Sequence, residues 1–94
     1  MIKDIKLKVT HEQSRKVQEI CFSKGIVWGT GNIVSNITAS YLYITDGRSL
    51  TYGHDYHFFT TSRREEMDAN LFIQTNGTGI RKLLKQKAIK WKRF

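Results

Sequence analysis

Seven cations and no acid occupy the last fourteen residues, Arg81 to Phe94, in the run RKLLKQKAIKWKRF. The cations are Arg81, Lys82, Lys85, Lys87, Lys90, Lys92 and Arg93. The whole chain has 16 Lys+Arg and 8 Asp+Glu, which leaves positions 1–80 with 9 basic residues against 8 acidic ones, a net of +1. Charge concentrated in this way attracts phosphate backbones, acidic protein surfaces or anionic membranes. Each phosphate contact releases condensed counterions, so binding of this kind weakens steeply with salt. Arg81, Lys82, Lys85, Lys92 and Arg93 are the expected phosphate contacts, and Trp91 and Phe94 offer rings on which a base can stack.

Three smaller constellations carry chemistry of their own. Gly77-Thr78-Gly79-Ile80-Arg81-Lys82 sets a glycine loop at a helix start beside two cations, where free N–H groups and the helix dipole suit an anion. The Walker spacing G-x-x-x-x-G-K-[ST] is absent, so the ordinary turn-and-helix-start reading is favoured. His54-Asp55-Tyr56-His57 holds two imidazoles that could act as acid and base in a metal-independent ribonuclease. On a strand, however, His54 and His57 would face opposite ways, and no third ligand or nucleophile is placed beside them. Cys21 falls on the apolar face of a helix almost three turns from His11, as expected of a buried small hydrophobe. No catalytic residue and no metal or cofactor site is assigned.

The elements that must position these residues follow from hydrophobic period and cap chemistry. Ile2, Ile5, Leu7 and Val9 alternate with Lys3, Lys6 and Lys8, a half-buried strand with a lysine face. Thr10 and Gln13 have capping-box spacing and start a helix that Gly25 ends. Ile26–Trp28 predicts a short strand, and the pattern over 32–40 specifies no element. Tyr41 to Thr45 and Leu50 to Tyr52 alternate about Asp46-Gly47, a hairpin turn. Tyr56–Thr61 predicts a third strand of this meander, and the Ser62/Glu65 capping-box pair predicts a short helix from about residue 63. A last helix runs over about 80–94, with Ile80, Leu83, Leu84, Ala88, Trp91 and Phe94 on one side. The order β-α-β-β-β(-α)-α gives one α+β domain over 1–94, an antiparallel sheet of three or four strands with helices on one face. Tyr41, Tyr43, Tyr52 and Tyr56 could leave an aromatic patch exposed for a protein or nucleotide.

Composition narrows the class. Hydrophobic residues at 39% and eleven aromatics suffice for a modest core, and a chain of 94 residues gains from burial against a partner or a second copy, so a homodimer is compatible with it. A single cysteine excludes an intramolecular disulfide and a Cys-rich zinc site. MIKDIKLKV lacks the apolar stretch of a signal peptide, and no run approaches a membrane span, so the expectation is a soluble cytoplasmic protein with no membrane association. The N-x-T sites at Asn36 and Asn76 are then chance occurrences.

The stretch Val9 to Tyr56 resembles small accessory proteins of tailed phages. The likeness rests on a strand, a helix similar to Glu12-Gln13-Ser14-Arg15-Lys16-Val17-Gln18-Glu19, Phe22, the Gly25-Ile26-Val27-Trp28 motif, and the pair Tyr41-Leu42-Tyr43-Ile44 and Leu50-Thr51-Tyr52-Gly53. It covers about half the chain and transfers no catalytic residue. It implies a host-directed binding protein, such as an anti-defence factor, acting in the host cytoplasm. A fainter likeness links the Gly77–Lys82 stretch to the last helix of double-stranded-RNA-binding domains, with the lysine pair one position early. Small basic α+β ribonuclease toxins are also similar in length and charge. The leading expectation is a non-enzymatic protein that binds nucleic acid or a nucleoprotein through the basic C-terminal helix. The alternatives are an inhibitor occupying a host defence protein's nucleic-acid groove or acidic patch, a sponge for anionic signalling nucleotides, and a small ribonuclease using His54 and His57.

Overall fold

The computed structural model describes residues 4–77. Its elements are β1 (Ile5–Lys8), α1 (His11–Ser23), β2 (Tyr41–Thr45), β3 (Ser49–Gly53), α2 (Tyr56–Thr61), β4 (Glu65–Glu66) and α3 (Ala69–Asn76). The expected last helix over 80–94 lies outside the described residues.

Local chemistry builds α1 as its sequence predicts. The Thr10 hydroxyl accepts from Gln13 N–H at 3.1 Å while Gln13 Oε1 accepts from Thr10 N–H at 2.9 Å, which closes the capping box. At the other end Gly25, at φ +80°, lets Ile26 N–H reach the Cys21 carbonyl and Gly25 N–H reach that of Phe22. This is a Schellman stop, which needs a left-handed residue after the cap. The hairpin is equally local. Asp46 and Gly47 have φ values of 56° and 65°, and Arg48 N–H donates to the Thr45 carbonyl at 3.0 Å, the geometry of a type I′ turn.

The four strands form one α+β sheet in the order β3-β2-β1-β4. β1–β2 and β2–β3 are antiparallel, but β4 joins β1 in parallel, so the sheet is mixed rather than purely antiparallel. The short crossover from α2 delivers Glu65 beside Ile5 in the same direction, with Glu65 N–H on the Asp4 carbonyl and Met67 N–H on that of Lys6.

Helices cover both faces, where the sequence predicts one. Ile5, Leu7, Leu42, Ile44 and Leu50 meet Val17 and Cys21 of α1 and Ala69 and Phe72 of α3 in the main core. On the opposite face Tyr41 and Tyr43 pack against Phe59 of α2 in a second cluster. Tyr41 and Phe59 stack with ring centroids 4.4 Å apart and an interplanar angle of 20°.

This second cluster explains two corrections. Tyr56–Thr61 is a helix and not a third meander strand, because the Asp55 carboxylate caps it by accepting from His57 N–H at 2.9 Å, and the coil turns Phe59 onto the tyrosines. Ser62 then ends α2 rather than starting a helix, and the next helix begins later, where Asp68 accepts from Leu71 N–H. Ile26–Trp28 likewise makes only isolated bridges, Val27 to Ser49 and Trp28 to Gly31.

The expected lysine face of β1 is also altered. Lys6 is only 6% exposed, and its ammonium donates to the carbonyls of Phe59 at 2.6 Å, Ser62 at 3.0 Å and Thr60 at 3.5 Å. A cation suits these carbonyls, which the end of α2 leaves without helical partners. The Phe59 ring, 4.9 Å from Nζ, adds a cation–π contact.

One buried side chain ties the 32–40 segment to α1 at Ser35, while Val9 N–H holds its far end through the Ser40 carbonyl. Gln18 of α1 is fully buried; its Oε1 accepts from Trp28 Nε1 at 2.9 Å and from Ser35 N–H at 2.8 Å. Its Nε2 donates to the Ser35 carbonyl at 2.6 Å and to Ser14 Oγ at 3.0 Å.

Candidate functional site

Charge within the described body is balanced. Lys6, Lys8, Arg15, Lys16, Lys24, Arg48, Arg63 and Arg64 stand against Asp4, Glu12, Glu19, Asp46, Asp55, Glu65, Glu66 and Asp68, eight of each. The chain's net of +8 therefore belongs to Lys3 and the seven cations from Arg81 onward. The expected contacts Arg81, Lys82, Lys85, Lys92 and Arg93, with Trp91, lie outside the described residues, as do Thr78 to Lys82 of the glycine loop. The last described residue is Gly77. Gly77 closes α3 with its N–H on the Ile73 carbonyl, and a Cβ placed there would lie 3.3 Å from Ile20 Cδ1 of α1.

Two cations in the body are occupied with structural roles. Lys6 is held by the carbonyls at the end of α2. The Arg64 guanidinium lies over the Tyr43 ring at 5.1 Å and donates to Thr45 Oγ1 and Ser62 Oγ.

The histidine cluster is open to solvent. His54 follows β3 with its ring edge-on to Tyr52 at 6.1 Å, and His57 sits in the first turn of α2. Asp55 is engaged as the helix cap, and no hydrogen bond links the two imidazoles among the described residues. The described residues also contain no group of three or more His, Cys, Asp or Glu able to hold a metal ion. Cys21 is buried as its helical face predicts. Desolvation pushes its thiol up to about 12, opposed by the nearby Lys24 charge, so it stays protonated near neutral pH.

The four tyrosines divide. Tyr41 and Tyr43 are buried under α2, and the Tyr43 hydroxyl, raised in pKa first by desolvation, has no hydrogen-bond partner among the described residues. Tyr52 and Tyr56 remain exposed, and Phe58 joins them. Read as a strand, Tyr56–Thr61 gives no reason to single out Phe58. Counting helical phase from the Asp55 cap separates it from the buried Phe59.

Shallow clefts lie elsewhere. One of about 640 Å³ is lined by Val9, Thr10, His11, Glu12, Thr38, Ala39 and Ser40, and one of about 240 Å³ by Asp4, Thr45, Asp46, Arg63 and Arg64. The second mixes both signs of charge, and the first carries the Glu12 carboxylate. No helix among the described residues is long and apolar enough to cross a membrane. Compared with known families, curated proteins and solved structures, the chain matches no family model, no curated protein and no solved structure.

Proposed function

We propose that this protein is a non-enzymatic binding module that engages nucleic acid through its cationic C-terminal segment, with Arg81, Lys82, Lys85, Lys92 and Arg93 on phosphates. The observation that carries this reading is the segregation of charge: a body with eight cations and eight acids, followed by seven cations without an acid. A neutral body contributes little long-range attraction to a polyanion, so affinity and its salt dependence are concentrated in one segment. The phage-type likeness of residues 9–56 is in keeping with a small host-directed binding protein.

The test replaces the five named cations by glutamine in the full chain and compares its affinity for a 20-base-pair duplex with that of the unaltered protein. Retained far-ultraviolet circular dichroism with strongly reduced affinity is the expected result. Unchanged affinity in a folded variant would refute the assignment and turn attention to an acidic protein surface as the target.

A further inference from the structure

The sequence from Ile80 to Phe94 carries an apolar side as well as its cations. Ile80, Leu83, Leu84, Ala88, Trp91 and Phe94 recur at three- and four-residue spacing, the pattern of a helix that buries one side. The sheet offers it no seat, because helices already cover both faces, α1 and α3 on one and α2 on the other. We propose that residues 80–94 fold back onto the outer groove between α1 and α3, with Ile80, Leu83 and Leu84 on Ile20 and Ile73 and with Lys87 against Glu12. Such docking uses the apolar side of the segment and is independent of what its cations bind.

The groove has an apolar end and a polar end. Two depressions, of about 210 and 290 Å³, share Lys16 and Ile73 and so join into one. α1 and α3 run side by side in the same direction. Gln13 Nε2 donates to Asn70 Oδ1 at 3.0 Å, and seven residues further along each segment a Cβ at Gly77 would lie 3.3 Å from Ile20 Cδ1. The end near Gly77 offers Ile20 and Ile73, which the main core buries only in part. The end near Thr10 offers Glu12, Gln13 and Asn70.

Length and order of side chains fit this groove. Thr78 and Gly79 alone separate Gly77 from Ile80, within the roughly 2–5 residues that join two antiparallel helices. At about 1.5 Å per residue, a helix over 80–94 spans about 22 Å, and α1 spans about 20 Å. Laid antiparallel from the Gly77 end, Ile80, Leu83 and Leu84 fall within about 6 Å of the start, level with Ile20 and Ile73. Lys87, the cation that interrupts the apolar side, falls about 10 Å along, level with Gln13 and Glu12. It thus meets a carboxylate that Lys16 also approaches, at 3.6 Å. By helical phase Arg81, Lys82, Lys85, Lys92 and Arg93 then point away from the groove, on one outward side.

The experiment records methyl NOEs in the unaltered, full-length, isotope-labelled protein. NOEs from Ile20 or Ile73 to Leu83 or Leu84 are expected, and they should arise within one molecule. NOEs seen only between labelled and unlabelled copies in a mixed sample would overturn the proposal in favour of a second copy on the groove. No NOE from residues 80–94 to either isoleucine would overturn it outright. Cysteine pairs give an independent readout, and the buried Cys21 does not compete with them. Ile73→Cys with Leu84→Cys should close an intramolecular disulfide under mild oxidation. Ile73→Cys with Lys85→Cys should stay reduced, because its Cβ vectors point apart. Closure in both pairs, or in neither, would contradict the docking. Any of these failures leaves the phosphate-binding reading standing, since the salt slope of duplex binding reads the cations alone.

Discussion

Replacing Gln18 by alanine should cost this protein a large part of its stability. The side chain is fully buried and makes four hydrogen bonds, two of them accepted by one oxygen from Trp28 Nε1 and Ser35 N–H. Alanine leaves both donors without that partner, and an orphaned buried donor costs about 1–3 kcal/mol. Lost packing adds to this, so the expected loss is about 3 kcal/mol or more. For a chain of 94 residues the total is roughly 5–14 kcal/mol, at the usual 0.05–0.15 kcal/mol per residue. Urea unfolding followed by circular dichroism measures it directly. A double-mutant cycle with Trp28→Phe sharpens the test, because the second substitution removes one donor that Gln18 serves. Coupling of about 1 kcal/mol is expected for groups in direct contact. A Gln18→Ala loss below about 1 kcal/mol would show that its buried hydrogen bonds add little to stability, and strictly additive substitutions would show no coupling between Gln18 and Trp28.

Further outcomes follow from other groups. Lys6→Met should destabilise by about 2 kcal/mol, since it strips a charged donor from the carbonyls at the end of α2, whereas Lys8→Met on the same strand should stay within about 0.5 kcal/mol; equal effects in urea titrations would refute the distinction. Cys21 should resist a thiol reagent at pH 8 in the folded state and react fully in urea, and rapid native labelling would contradict its burial. Its folded-state value, raised from 9.0 to about 12, means that its contribution to stability is complete below pH 9 and is lost as pH climbs towards 12. Cys21→Ala should flatten that alkaline decline, and an unchanged pH profile would count against it. Asp55→Ala should cost about 1 kcal/mol through loss of the α2 cap, read as a lowered melting temperature.

Features set by near neighbours were legible in the sequence. Thr10 and Gln13, Gly25, and Asp46-Gly47 each act within a few residues, and each appears in the structure as its type predicts. Features set by distant contacts were not. The aromatic and β-branched run Tyr56–Thr61 has strand propensity, but Asp55 and the burial of Phe59 against Tyr41 override it. Lys6 reads as solvent-facing because its carbonyl partners lie more than fifty residues further along. β4 is a two-residue strand of glutamates, too short and too polar for a periodic signal. Segment 32–40 forms no strand or helix whose period could be read, and its ties, Ser35 to Gln18 and Ser40 to Val9, come from other elements. The charge asymmetry needed no structure to be seen. The exposed aromatic residues were half visible: Tyr52 and Tyr56 stay on the surface as expected, Tyr41 and Tyr43 are buried, and Phe58 is exposed where strand periodicity gave no sign of it.

The central claim, phosphate binding by the cationic segment, is tested most directly by the salt dependence of duplex DNA binding. Five phosphate contacts predict that log K falls with log salt at a slope of about −4 to −5, at roughly −0.9 per neutralised phosphate. The five-fold glutamine variant should flatten this slope towards zero. A shallow slope for the unaltered chain, or a slope that the variant leaves intact, would contradict the account.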